Sequence, residues 1–337
     1  MKVGTRTIGD GEPAFVLAEV ASAHQGEAVQ ALDLASNARN AGAEGVKFQL
    51  FRSQRLVPPN ASNRAVFDRI ELSTDDWGRV LTAARSLGIP VFADVFDRES
   101  LAIGEEHGVA AYKIHSTDME NSEFIRAVAA TGKPVLLSTG GSSLATVDHA
   151  LSECRSEGAG DVMLLHGVQN FPTEAADSNL RFIETLKRTF GVPVGFLDHV
   201  DGGSPMALAL PALAVAFGAN LVEKHTTLDR SAQGFDYESS LEKTQFASMV
   251  ELIRQAEASF GEAHWQQSDG AERYHRMMRR AVLSRVDLKQ GVPLMRDHLA
   301  FLRHEEGVSP DEAGALIGRK PSSDIAAWTP LTEDLFD

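Results

Sequence analysis

An alternation constrains this chain more than any other feature. Short runs rich in Val, Leu, Ile and Phe recur through its first three quarters, each followed by a segment of helical periodicity. The runs are Phe15–Glu19, Gly45–Gln49, Pro90–Ala93, Ala111–Ile114, Val135–Ser138, Val162–His166, Val194–Leu197 and Leu221–Lys224. The helical segments are Ala31–Ala41, Thr74–Leu87, Ser100–His107, Ser122–Ala130, Leu144–Glu157, Ser178–Phe190, Met206–Phe217 and Glu242–Phe260. Repeated strand–helix units predict a parallel sheet, because a parallel connection needs a crossover that a helix supplies. Eight of them predict closure into an α/β fold of (β/α)8 type, a TIM barrel, which typically takes roughly 250 residues. Gly42, Gly88, Gly132, Gly191 and Gly218 fall at helix ends, three of them followed closely by Pro90, Pro134 or Pro193. Such pairs stop a helix before the next strand.

After Phe260 the pattern changes. Gly261 to Arg276 is polar and no strand–helix unit follows it, which reads as a linker. From Arg279 come short elements, Ala281–Ser284, Val286–Gly291, Leu299–Leu302 and Ala313–Gly318. They suggest a compact domain of about 60 residues, a size that barely buries its own core and often relies on a partner surface. The expected division is a barrel over 1–262, a linker over 263–278 and a small domain over 279–337.

Charge narrows the partners. Against 47 Asp and Glu stand 32 Lys and Arg, a net charge of −15, so no uniformly basic surface exists to hold a phosphate backbone and nucleic acid is not expected. The single cysteine, Cys154, fits a reducing cytoplasm. The first residues carry no apolar signal-like run. The most apolar stretch, Pro205 to Ala219, is interrupted by Pro211 and is shorter than the ~20 residues of a membrane span. It reads as a barrel helix.

Barrel active sites lie at the C-terminal ends of the strands. There this chain places Glu19, Lys47 with Gln49, Asp94, Lys113 with Ser116, Ser138 with Thr139, His166, Asp198 with His199, and Glu223-Lys224-His225. Unpaired charge at a barrel mouth is costly, so the set points to a polar ligand. His166 and His199 end neighbouring strands, six and seven, and their imidazoles are expected to converge on one divalent cation with open positions. Either His alone would equally be a hydrogen-bonded strand-end residue. No third His or Cys follows at short spacing, which favours a metal such as Mn²⁺ over zinc. Lys47, Lys113 and Lys224 would point three ammonium groups into one cavity, suited to phosphate or carboxylate. Alternatively they neutralise Glu19, Asp94 and Glu223. Ser138-Thr139-Gly140-Gly141 could offer hydroxyls and N–H groups to a phosphate. Nucleophile-elbow, Walker and dinucleotide-binding motifs are missing from the strand ends.

These residues, in this order, resemble the sialic acid synthase family of N-acetylneuraminate, legionaminate and pseudaminate synthases. The resemblance spans nearly the whole chain. It rests on Leu17-Ala18-Glu19 with His24 and Gly26, Gly45-Val46-Lys47-Phe48-Gln49, Lys113-Ile114-His115-Ser116, Leu137-Ser138-Thr139-Gly140, Leu164-Leu165-His166, Asp198-His199 and Glu223-Lys224-His225. Arg279-Arg280, Asp287-Leu288-Lys289-Gln290-Gly291 and Ile317-Gly318-Arg319-Lys320 resemble its C-terminal antifreeze-like (SAF, β-clip) domain.

The resemblance implies condensation of phosphoenolpyruvate with an N-acylated amino sugar, with Mn²⁺ (or Mg²⁺ or Co²⁺) as cofactor, in a domain-swapped homodimer. By position, Lys47, Lys113, Ser116, Ser138 and Asn170 would hold phosphoenolpyruvate. His166 and His199 would hold the metal, with Glu19 orienting that site. Gln49, Phe171 and Asp236 would meet the sugar, and Arg303 its acyl group. Asp118 would manage the proton of the water that adds at C2. Several positions depart from the family pattern: Asp118 for Glu, Leu197 for Ser or Thr, Phe171 for Tyr, and Ala93-Asp94-Val95-Phe96 for Ser-Thr-Pro-Phe. Two other readings are a Schiff-base aldolase using Lys113 or Lys224, and a sugar-binding protein without turnover.

Overall fold

A computed structural model describes all residues, Met1–Asp337. Eight parallel strands close into a barrel: β1 (Phe15–Glu19), β2 (Gly45–Leu50), β3 (Val91–Val95), β4 (Ala111–Ile114), β5 (Val135–Ser138), β6 (Val162–His166), β7 (Val194–Asp198) and β8 (Leu221–His225). Closure comes from β8 against β1, with Glu223 in register with Leu17 and His225 with Glu19. The intervening helices are α1 (Ala28–Asn40), α2 (Thr74–Arg85), α3 (Arg98–Glu106), α4 (Ser122–Ala129), α5 (Leu144–Ser156), α6 (Phe182–Phe190), α7 (Met206–Ala216) and α8 (Lys243–Ser259). Ser73, Asp97, Asn121 and Ser143 cap four of them, each side chain accepting an N–H of the first turn. The (β/α)8 barrel expected from the alternation is the fold.

Every barrel strand is buried on both faces, so two apolar layers form. Phe15, Leu17, Phe92, Ala111, Leu136, Met163, Leu165, Leu197 and Leu221 fill the interior. Val46, Phe48, Val91, Ala93, Leu164 and Phe196 instead pack outward with the helices. The interior is crowded: a Cβ on Gly45 would lie 2.9 Å from the Phe15 ring and 3.0 Å from that of Phe92. An N-terminal hairpin, Lys2–Val3 with Arg6–Thr7, adds Val3 and Ile8 to this inner cluster. Because successive side chains alternate between faces, position along a strand decides which layer a residue joins.

Between β2 and α2 the chain inserts two short helices, Ser53–Leu56 and Arg64–Ile70. Arg69 stacks over the Phe235 ring at 4.8 Å, tying this insertion to the β8–α8 loop. No helix is long and apolar enough to cross a membrane.

The chain divides into two compact units, Met1–Gly261 and Glu262–Asp337. In the second, β9 (Arg280–Ser284) and β10 (Leu299–Arg303) pair antiparallel over Val282, Leu288, Leu294, Leu299, Leu316, Ile325, Leu331 and Phe336. The polar stretch read as a linker carries a helix, Asp269–Met278, capped by Ser268 and with no buried residue.

Candidate active site

Strand alternation sorts the polar strand ends into two groups. Glu19, Lys47, Gln49, Asp94, Lys113, Glu223 and His225 share the phase of the interior residues and crown the inner core. Lys47 is fully buried, its ammonium closest to Glu19, 2.9 Å from Glu223 and 3.6 Å from Asp94. Lys113 lies 3.0 Å from Glu223 and 3.4 Å from Asp94. Burial would lower the pKa of Lys47, but Glu19, Glu223 and Asp94 hold it well above the ordinary lysine value. Burial raises Glu223 as well, yet Lys113 and Lys47 outweigh it and keep this carboxyl below its usual range. Burial dominates at Glu19 and pushes it up to about 7. Glu19 also accepts the N–H of Ala21 at 2.7 Å, and Ala21 holds a left-handed φ of 41° to allow it.

Beside the charges stand two imidazoles, His199 and His225, with ring centroids 5.2 Å apart. His199 Nδ1 lies 2.7 Å from the carbonyl oxygen of Val168; donation there leaves Nε2 unprotonated. His225 Nδ1 is buried with no hydrogen-bond partner. Burial holds His199 down to about 4 and His225 well below its ordinary value, so both rings are neutral. Two neutral imidazoles side by side, one with an unsatisfied buried nitrogen, are a donor set that fits a divalent cation with open positions. The cavity they face is lined by Glu19, Ala21, Gln49, Lys113, His115, Gln169, Phe171, His199, Glu223, His225 and Asp236.

The expected His166–His199 pair is therefore corrected. His166 shares the phase of Val162 and Leu164, which pack outward. Its Nε2 lies 3.0 Å from the Ser178 carbonyl oxygen, and its ring packs against Phe182 at 5.5 Å. The residue beside His199 is His225, in phase with the inward Leu221 and Glu223. Lys224 is a second correction. It points to the outer layer, where its ammonium bonds Asp198 at 2.9 Å and the Val200 carbonyl oxygen at 3.0 Å.

Gln49, Phe171 and Asp236 line the cavity. Phe171 lies against His199, centroids 4.3 Å apart. Asp236 accepts the Ser22 N–H at 3.0 Å, joining the β1–α1 and β8–α8 loops. Ser138 is buried and its hydroxyl accepts from the Gln169 amide at 3.2 Å, a partner the sequence reading missed. Ser116 and Asp118 form a 3-10 turn after β4, with Asp118 accepting from the Asn121 amide at 3.1 Å. Asn170 is exposed, and its carbonyl accepts the Thr173 hydroxyl. Arg303 is exposed at the end of β10 in the second unit.

The chain is similar to several known proteins. The family model described as the NeuB family matches residues 34–265. The chain is 30% identical over 346 residues to the N,N'-diacetyllegionaminic acid synthase of Legionella pneumophila, covering 97% of this chain and 96% of that protein. It is 29% identical over 339 residues to a pseudaminic acid synthase of Campylobacter jejuni, covering 96% of each. The crystal structure of the N-acetylneuraminic acid (sialic acid) synthetase of Leptospira borgpetersenii, in complex with citrate, superposes with a TM-score of 0.75 at 30% identity, over 81% of this chain and 94% of that one. With its barrel, its inward lysines and its two facing histidines, the chain belongs to the NeuB family of sialic acid synthases.

Proposed function

We propose that the chain condenses phosphoenolpyruvate with an N-acylated amino sugar to give a 2-keto-3-deoxy nine-carbon sugar acid and phosphate. C3 of phosphoenolpyruvate attacks the aldehyde carbon of the open-chain sugar, water adds at C2, and phosphate leaves by C–O cleavage. The observation that carries this reading is the single cavity that brings the cationic Lys113 to within reach of His199 and His225 in a chain of this family.

In this reading Lys113, backed by Lys47, holds the donor's negative charge, with the Ser138–Gln169 pair beside them. Gln49, Phe171 and Asp236 face the sugar, with Phe171 packed on His199 to limit water. His199 and His225 would hold Mn²⁺, or Mg²⁺ or Co²⁺ in its place, which when bound supplies Lewis-acid polarisation of the sugar's carbonyl oxygen. Lys224, engaged with Asp198 outside the cavity, is removed from a Schiff-base role. The second unit exposes Val292, Met295 and Trp328, more than half of each accessible, and in this reading they are available to a second copy of the chain in a homodimer.

Phosphate release from phosphoenolpyruvate, measured with Mn²⁺ against a panel of N-acylated amino sugars, tests the reading. One sugar is expected to support release. His199→Ala and His225→Ala should each abolish it, while His166→Ala retains most of it. Release that survives His225→Ala but not His166→Ala would overturn the assignment, and silence across the panel would overturn the reaction.

A further inference from the structure

Two ammonium groups, Lys47 and Lys113, are surrounded by three carboxyl groups, Glu19, Asp94 and Glu223, so the positive charge that an anionic donor needs is already engaged from within the protein. The three carboxylates are not alike. Glu19 accepts a backbone N–H and pairs closely with Lys47, and Glu223 lies within 3.0 Å of both lysines. Asp94 is fully buried and reaches the two ammoniums only at 3.6 and 3.4 Å, and neither of its oxygens has a hydrogen-bond partner. It stands in register between Gln49 on β2 and Lys113 on β4, both of which line the cavity.

A buried carboxylate without hydrogen bonds is costly to keep, and nothing in the outer wall needs it. What it does to the site is electrostatic. Its charge cancels part of the positive potential that Lys47 and Lys113 present to the cavity, in a region where low polarisability strengthens every such interaction. We propose that Asp94 tunes the affinity of this cavity for its anionic donor, acting as an internal counter-ion that an incoming phosphate or carboxylate competes with for the two lysines. Binding of the anionic donor is weakened by this competition, and departure of product phosphate is assisted by it. Lys113, which both touches Asp94 and lines the cavity, is the group over which they compete.

The inference rests on the donor-binding reading above, but its test needs neither turnover nor a sugar. Inorganic phosphate is titrated calorimetrically into chelator-treated wild-type protein and into Asp94→Asn, a substitution of equal shape that removes the charge and breaks no close bond. Asp94→Asn is expected to bind phosphate at least about tenfold more tightly. With phosphoenolpyruvate and the supporting sugar, KM for the donor should fall similarly while kcat is unchanged or lower, as expected for binding gained equally in ground and transition state. A merely structural role for Asp94 would loosen binding or leave it unaltered, so an unchanged or weaker phosphate affinity in a folded variant overturns the proposal, as does the absence of phosphate binding in both proteins. Should Asp94→Asn not fold, Asp94→Ser is read in its place by the same criterion. Failure of wild-type turnover with every sugar would count against the reaction, and tighter phosphate binding by the variant would still uphold the counter-ion.

Discussion

Glu223 and Lys224 are neighbours on β8, equally buried, and belong to two differently built sets of charges. Lys224 faces the outer layer and meets a single carboxylate, Asp198; its ammonium also bonds the Val200 carbonyl, and Asp198 accepts the Val200 N–H at 2.9 Å. That pair is locally satisfied and braces the turn that follows β7, next to His199. Glu223 faces inward into a group of five ionisable side chains in which Glu19, Lys47, Asp94 and Glu223 all retain atoms without hydrogen-bond partners. Buried ion pairs persist where geometry satisfies them, and an unsatisfied group is expected where a ligand completes it. The difference separates a structural pair from a binding site within two consecutive residues.

Removing one cation from each set separates their roles. Lys113→Met, on the inner side, should cut phosphate release by a factor of about 100 to 1,000, the usual cost of losing one charged group that stabilises a reacting anion. A variant with near wild-type turnover would move Lys113 out of the donor site. Lys224→Met should instead act on stability. It strands Asp198 in the wall and is expected to cost about 3–5 kcal/mol in denaturant unfolding. Adding Asp198→Asn should recover most of that loss, whereas no neutralisation of an inner carboxylate should restore turnover to Lys113→Met.

A buried group without an ionic partner gives a smaller effect. His24 is almost fully buried on the β1–α1 loop, takes the Gly26 N–H on Nδ1 and meets Trp77 edge-on at 5.7 Å. Burial lowers its pKa from 6.5 to about 4. A histidine depressed in the folded state binds its proton more readily unfolded, so stability falls as pH drops below about 6.5 and levels off below about 4. The total contribution is about 3 kcal/mol. Denaturant unfolding at pH 7 and pH 5 should show a loss in wild type that His24→Asn reduces by about 2 kcal/mol, the share of one depressed histidine, with the buried His199 and His225 supplying further loss. Equal losses in both proteins would assign the acid sensitivity elsewhere.

Much of this was legible in the chain itself. The count of strand–helix units, the helix-stopping glycines and the charged strand ends all follow from local chemistry, since each depends on residues within one turn or one strand. Lys113, Gln49 and Glu19, expected at strand ends on that basis, line the cavity, and Lys47 is buried against Glu19. Which face each strand end presents was not decided locally. In a closed parallel barrel both faces of every strand are buried, so apolar residues fill inner and outer positions alike and no polar–apolar alternation marks the inside. His166 and His225 therefore look equivalent in sequence. Only the closure of β8 against β1, which sets His225 opposite Glu19 and leaves His166 among the helices, assigned one to the cavity and the other to the wall.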